Sequence, residues 1–133
     1  MSRSLIQTAS KSSTNLTAGS VIPLGSVIRR YGCNCRLNGD TAEIEGIGYY
    51  DVDATVTLYP TEIGDVTIAL YRNGVAVPGT TVTGTVAAIS DAITLPIVGT
   101  VRETCCESPS QLSLMILANG SSGSASSLRV TKL

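Results

Sequence analysis

The chain has 133 residues, with no histidine, tryptophan or phenylalanine, 14% charged residues and a formal net charge of −1. A length of this order suits a single hydrophobic core. Without histidine the commonest general acid/base and the commonest neutral metal ligand are both missing, and the near-zero charge offers no long-range pull to a phosphate backbone or an anionic membrane. The expectation is a non-enzymatic protein with no catalytic, cofactor-binding or metal-binding residues, and no nucleic-acid or membrane partner.

In chain order, residues 1–25 read as an extended N-terminal arm, because Ser10 to Thr17 is a polar tract followed by Gly19, Pro23 and Gly25. Such a segment lies on a neighbour, attaches the domain to something larger, or stays loosely held until a partner orders it. The domain proper is then 26–133, opening with Ser26 to Tyr31 as its first strand. From Gly48, residues Tyr50, Val52, Ala54, Val56 and Leu58 alternate with Tyr49, Asp51, Asp53, Thr55 and Thr57, which is the two-residue period of a strand. Pro60 ends it. Val66, Ile68 and Leu70 mark a second strand, and Asn73-Gly74 supplies the two positive-φ positions of a type I′ hairpin before Val75-Ala76-Val77.

After the Pro78-Gly79 turn, Thr81 to Ile89 and Ala92 to Val101 are rich in β-branched residues and are separated by Ser90-Asp91. Gln111 to Ala118 is apolar on both faces, so one face meets the core and the other a subunit. Asn119-Gly120-Ser121-Ser122-Gly123 ends it too early for a stable helix, and Ser127 to Leu133 alternates again. No helical period runs over a dozen residues, so the architecture is all-β, an antiparallel sandwich or jelly roll. The longest nearly uninterrupted apolar run, Leu114 to Ala118, falls far short of the roughly 20 residues that span a bilayer. Met1-Ser2-Arg3-Ser4 leads into polar sequence rather than a signal-peptide core, so export through a cleavable signal is not expected. At 43% hydrophobic residues and little charge, an oligomer is expected to cover what one small core cannot.

The run Gly48-Tyr49-Tyr50-Asp51-Val52-Asp53-Ala54, with Gly64 to Leu70, Tyr71-Arg72-Asn73-Gly74 and Val77-Pro78-Gly79, resembles the trimeric jelly-roll domains related to C1q and tumour necrosis factor (TNF), as found in bacterial collagen-like proteins and bacteriophage virion proteins. The match covers about residues 46 to 79, and Ser127 to Leu133 is compatible with it. The resemblance implies a TNF/C1q-like antiparallel jelly-roll β-sandwich, packed as a homotrimer through one sheet. It further implies a structural virion protein, made in the host cytoplasm, serving as a capsid decoration or a head or tail fibre component and held to a capsid or fibre protein by the N-terminal arm. On this reading Tyr49, Tyr50, Leu112, Leu114, Met115 and Leu117 are the candidates for the trimer interface. A second reading is a carbohydrate- or receptor-binding tip on a tail fibre or bacterial surface, using the loops around Tyr71 to Gly79 and Ala118 to Ser126.

Four cysteines fall as Cys33-Asn34-Cys35 and Cys105-Cys106. Tetrahedral zinc sites of four cysteines usually place two to four residues within each pair, and neither pair does so. Two readings stand. One is buried reduced thiols acting as small hydrophobes. The other is a disulfide from Cys33 or Cys35 to Cys105 or Cys106, which would close a loop of about 70 residues worth roughly 4 kcal/mol on the chain-entropy account. As nucleophiles these thiols lack a histidine partner. Glu43, Glu45, Asp51 and Asp53 are paired by alternation alone, which specifies neither a calcium site nor glycosidase chemistry and reads as a solvated strand face.

Overall fold

The computed structural model describes residues 4–12, 15–88, 92–103 and 110–133. These residues contain strands and turns and no helix, so none is long and apolar enough to cross a membrane. The strands are β1 (Leu5–Ser12), β2 (Ser26–Tyr31), β3 (Cys35–Asn38), β4 (Thr41–Ile44), β5 (Gly48–Pro60), β6 (Gly64–Arg72), β7 (Val75–Ala76), β8 (Val82–Val86), β9 (Ile93–Glu103), β10 (Ser110–Ala118) and β11 (Ser121–Lys132). They form two antiparallel sheets. The first has the order β2-β1-β11-β5-β9, and the second β3-β4-β10-β6-β7, with β8 also paired to β6. The chain passes repeatedly from one sheet to the other, so each sheet is completed only by strands distant in sequence.

The alternation of β5 produces this arrangement directly. Tyr50, Val52, Ala54, Val56 and Leu58 are buried between the sheets, and they face Val66, Ile68, Leu70, Leu112, Leu114 and Ile116 of β6 and β10 in one apolar cluster. Every residue from Gly48 to Leu58 pairs in register with β9, while β11 pairs along the other edge of β5. The Asn73-Gly74 turn has φ of 51° and 82°, the two left-handed positions that a tight hairpin of right-twisted strands requires.

Of residues 1–25, the described ones, 4–12 and 15–25, are packed against the rest of the chain. Leu5–Ser12 is an interior strand of the first sheet, paired with β11 on one side and β2 on the other. Ile6, Leu16, Ile22 and Leu24 belong to the core. β1 escaped the pattern reading because its inward positions are Ile6 and Thr8, and a threonine at a core-facing position reads as solvent-exposed in sequence. The segment after it lies along the edge of β10 that β4 leaves open: Ile22 N–H donates to the Leu114 carbonyl at 2.7 Å and Gly19 N–H to that of Ile116 at 2.7 Å. Gly25 permits the return into β2, since at its φ of +76° a Cβ would lie 2.3 Å from the Ala9 carbonyl oxygen. β3 and β4 escaped the pattern reading because each spans four residues, too few for a period. β11 begins at Ser121, immediately after a two-residue Asn119-Gly120 turn, so most of the serine-rich stretch is strand rather than loop.

Ile6→Ala tests this placement. Emptying a core site should destabilise the fold by about 2–5 kcal/mol, read from urea unfolding midpoints, whereas the same change in a free arm would leave the midpoint where it was.

Candidate functional site

The outward faces of β5, β9 and β11 make the broadest regular surface of the first sheet. Outward on β5 stand Tyr49, Asp51, Asp53, Thr55, Thr57 and Tyr59, and on β9 Thr94, Pro96, Val98, Thr100 and Arg102. Register places Tyr49 opposite Arg102, Asp53 opposite Val98 and Thr55 opposite Pro96. The few charges here are consumed locally. Asp53 is paired with Arg129 of β11, Asp51 accepts from the Thr100 hydroxyl at 2.9 Å, and the Arg102 guanidinium lies 5.8 Å from the Tyr49 ring centroid. Thr57 and Thr94 share a hydroxyl bond of 2.9 Å. What remains is a surface of methyl and hydroxyl groups with Val98 70% exposed and Tyr49 52% exposed, indented by a shallow depression of about 440 Å³ lined by Asp53, Thr55, Pro96, Val98, Ser127 and Arg129.

The six residues singled out for a trimer interface do not share one surface. Tyr50, Leu112 and Leu114 are fully buried inside the sandwich, because they sit at the inward positions of β5 and β10. Tyr50 is anchored there by its hydroxyl, which donates towards the carbonyls of Glu45 (3.0 Å) and Gly46 (2.9 Å). Tyr49 is exposed on the first sheet, while Met115 and Leu117 are half-buried at the outward positions of β10 on the second. The two loops of the tip reading are also apart. Asn73 is bonded to Gln111 at the start of β10, whereas Asn119 follows its end and bonds the Glu62 carbonyl. Nine strand residues separate them, roughly 25–30 Å.

The carboxylates of the sequence are dispersed in the same way. Glu43 and Glu45 both bind Arg36, on the second sheet, away from Asp51 and Asp53. No group of three or more cysteine or acidic side chains among the described residues is placed to hold a metal ion. Cys33 is an exposed free thiol and Cys35 a buried one; Cys105 and Cys106 lie outside the described residues. Burial pushes the Cys35 thiol up to about 11 despite the opposing charges of Lys132 and Arg30, and so it is not an activated nucleophile. Burial, followed by the negative charges of Cys35 and Glu103, likewise raises the Tyr50 hydroxyl to about 12.

Glu103 is the polar group that the sequence reading did not single out. It is fully buried at the end of β9, where Oε1 takes both the guanidinium of Arg72 from β6 and the hydroxyl of Ser110 from β10 at 2.7 Å. Ser110 Oγ also accepts from Asn73 Nδ2 at 3.3 Å. This network clamps the first sheet to the second beside the β6–β7 hairpin. Its signal was present in the alternation, since Leu95, Ile97, Val101 and Glu103 all occupy inward positions of β9, and a carboxylate continuing an inward apolar series must find a cation.

The topology and this two-sheet packing define an antiparallel jelly-roll sandwich. More particularly it is the C1q/TNF-like jelly roll. The chain is similar over 98% of its length to 96% of the PRD1 vertex protein P5 (TM-score 0.67, 9% identity), and over 95% to 94% of the globular domain of the zebrafish complement 1qA protein (TM-score 0.72, 5% identity). It is similar over 99% to the whole solved chain of murine APRIL (TM-score 0.69, 13% identity). No protein-family model and no curated protein matches the sequence. At these identities the likeness is one of fold, and function has to be argued from the surface.

Arg72→Ala should cost about 3–5 kcal/mol by leaving the Glu103 carboxylate buried and unpaired, against at most about 1 kcal/mol for Asp53→Asn at the exposed pair, both by chemical unfolding. Alkali should also destabilise the fold. Cys35 and Tyr50 favour their neutral forms when folded, so their contribution is intact below the unfolded values of 9.0 and 10.0 and is lost as pH rises through about 11 and about 12. Unfolding midpoints measured between pH 8 and pH 12 should therefore fall, and Cys35→Ala should flatten the lower part of that decline.

Proposed function

We propose that this chain is a non-enzymatic structural protein of a bacteriophage virion, a capsid decoration or fibre component, that assembles as a homotrimer through the outward face of β5, β9 and β11. The observation that carries the assembly is the state of that face: Val98 stands 70% exposed among threonine, serine and proline, and its charges are few, with Asp53 paired to Arg129, Asp51 bonded to the Thr100 hydroxyl and Arg102 set against the Tyr49 ring. Exposed sheet faces are ordinarily studded with unpaired lysine and glutamate, which resist association. A surface with few charges, built on long strands, can meet another copy at a small desolvation cost. The virion setting is supported by the resemblance in the Tyr49-Tyr50 and Asn73-Gly74 segments and by the shared fold of the PRD1 vertex protein.

Light scattering of the native chain should give three times the 13.7 kDa of one subunit, with or without reductant. Val98→Arg should reduce it to a single subunit while leaving the circular dichroism unchanged, because an exposed side chain contributes within about 0.5 kcal/mol to the fold of its own chain. A native monomer would overturn the assembly. Absence of the protein from purified particles, tested with an antibody raised against it, would overturn the setting.

A further inference from the structure

β2 is the open edge of the first sheet, with β1 as its one neighbour in the sheet order. All six of its residues are exposed, Ile28 at 54% and Tyr31 at 66%. Edges of this kind present unpaired backbone donors and acceptors, and proteins blunt them with proline, short length, charged side chains, bulges or covering segments; β2 has two arginines and a bulge but no proline. A register shift between Gln7 and Thr8 leaves Ile28 as an extra residue on β2, after which Arg29, Arg30 and Tyr31 pair regularly with Gln7, Ile6 and Leu5.

The two arginines have different duties. Arg30 donates through Nε to the Cys35 carbonyl at 2.9 Å, which ties the edge to β3. Arg29 stands on the outward face beside Tyr31, at a shallow groove of about 420 Å³ lined by Leu5, Ile28, Arg29, Arg30 and Tyr31. The described ion pairs use Arg36, Arg72 and Arg129, so among the described residues Arg29 has no carboxylate partner. An unpaired strand edge, exposed apolar side chains and an unneutralised cation coincide in one six-residue segment.

We propose that β2 receives an extended acidic segment of a partner protein as an added strand. Backbone hydrogen bonds to the free edge would supply affinity, as in other strand-addition complexes, while a carboxylate on the outward face meets Arg29. A second copy of this chain is the poorer occupant, because antiparallel pairing of β2 with itself sets arginines near arginines. The surface is separate from the face of β5, β9 and β11, so this inference does not depend on the trimer.

The test uses two end-blocked, fluorescent seven-residue peptides, one alternating valine with glutamate and the other valine with lysine. Anisotropy measures binding to the full chain, and hydrogen exchange locates it. The glutamate peptide should bind at least tenfold more tightly than the lysine peptide and slow exchange at Ser26 to Tyr31. An analogue N-methylated on alternate backbone nitrogens should lose binding, and Arg29→Glu should reverse the preference between the two charges. Equal binding of both peptides, protection confined to other strands, or protection of Ser26 to Tyr31 that grows with protein concentration in the absence of peptide would each overturn the proposal. The peptide comparison on the unaltered chain decides the matter even if Arg29→Glu fails to fold.

Discussion

The register of β5 between β9 and β11 governs the rest of the molecule. Because side chains alternate strictly along a strand, a slip of one residue would send Tyr50, Val52, Val56 and Leu58 outward and bring Asp51, Asp53 and Tyr49 into the core. That slip is opposed from both sides. The pairing of Ala54 with Ile97 and with Leu128 puts apolar residues of three adjacent strands in one inward layer, and the pairing of Asp53 with Arg129 on the outward face is available only in the same register. The inward and outward patterns thus enforce one alignment, and the second sheet closes over the surface it creates.

A core without tryptophan or phenylalanine has to be filled by aliphatic side chains, and these supply no polar handles of their own. The polar restraints are therefore concentrated at a few points at the margins of the sandwich. Tyr50 reaches two carbonyls in the β4–β5 connection, and Glu103 gathers Arg72 and Ser110 from the opposite sheet. The price of the second arrangement is a fully desolvated carboxylate. Its return is specificity more than stability: buried pairs of this kind seldom outperform an apolar replacement, yet they tolerate only the geometry in which both partners arrive together.

Most of the fold was legible because its long strands carry complete periods. β5 and β6 announce themselves by alternation, β9 by its β-branched residues, β10 by its apolar run, and the Asn73-Gly74 turn by the chemistry of left-handed backbone. The reading failed where a strand was short, as in β3 and β4, or where inward positions were small and polar, as at Thr8 of β1 and Ser124 and Ser126 of β11. The surface was less legible than the core for a definite reason. Alternation says which residues share a face but not which face becomes interior, so Leu112 and Leu114 were grouped with Met115 and Leu117 although a pleat separates them. Tyr49 and Tyr50, adjacent in sequence, fell on opposite sides of the sheet by the same rule.

Two surfaces of the first sheet remain available to other molecules, and they differ in kind. The face over β5, β9 and β11 carries few charges, with Asp53 paired to Arg129, so shape and apolar burial dominate any contact made there. The β2 edge keeps a cation and its backbone groups, so a partner there is read by charge and hydrogen bonding. With β1 and β11 lying between β2 and β5, the edge stands three strand spacings, roughly 14–15 Å, from β5 and one further from β9. A contact centred on Val98 of β9 would therefore lie on the opposite margin of the sheet from the β2 edge.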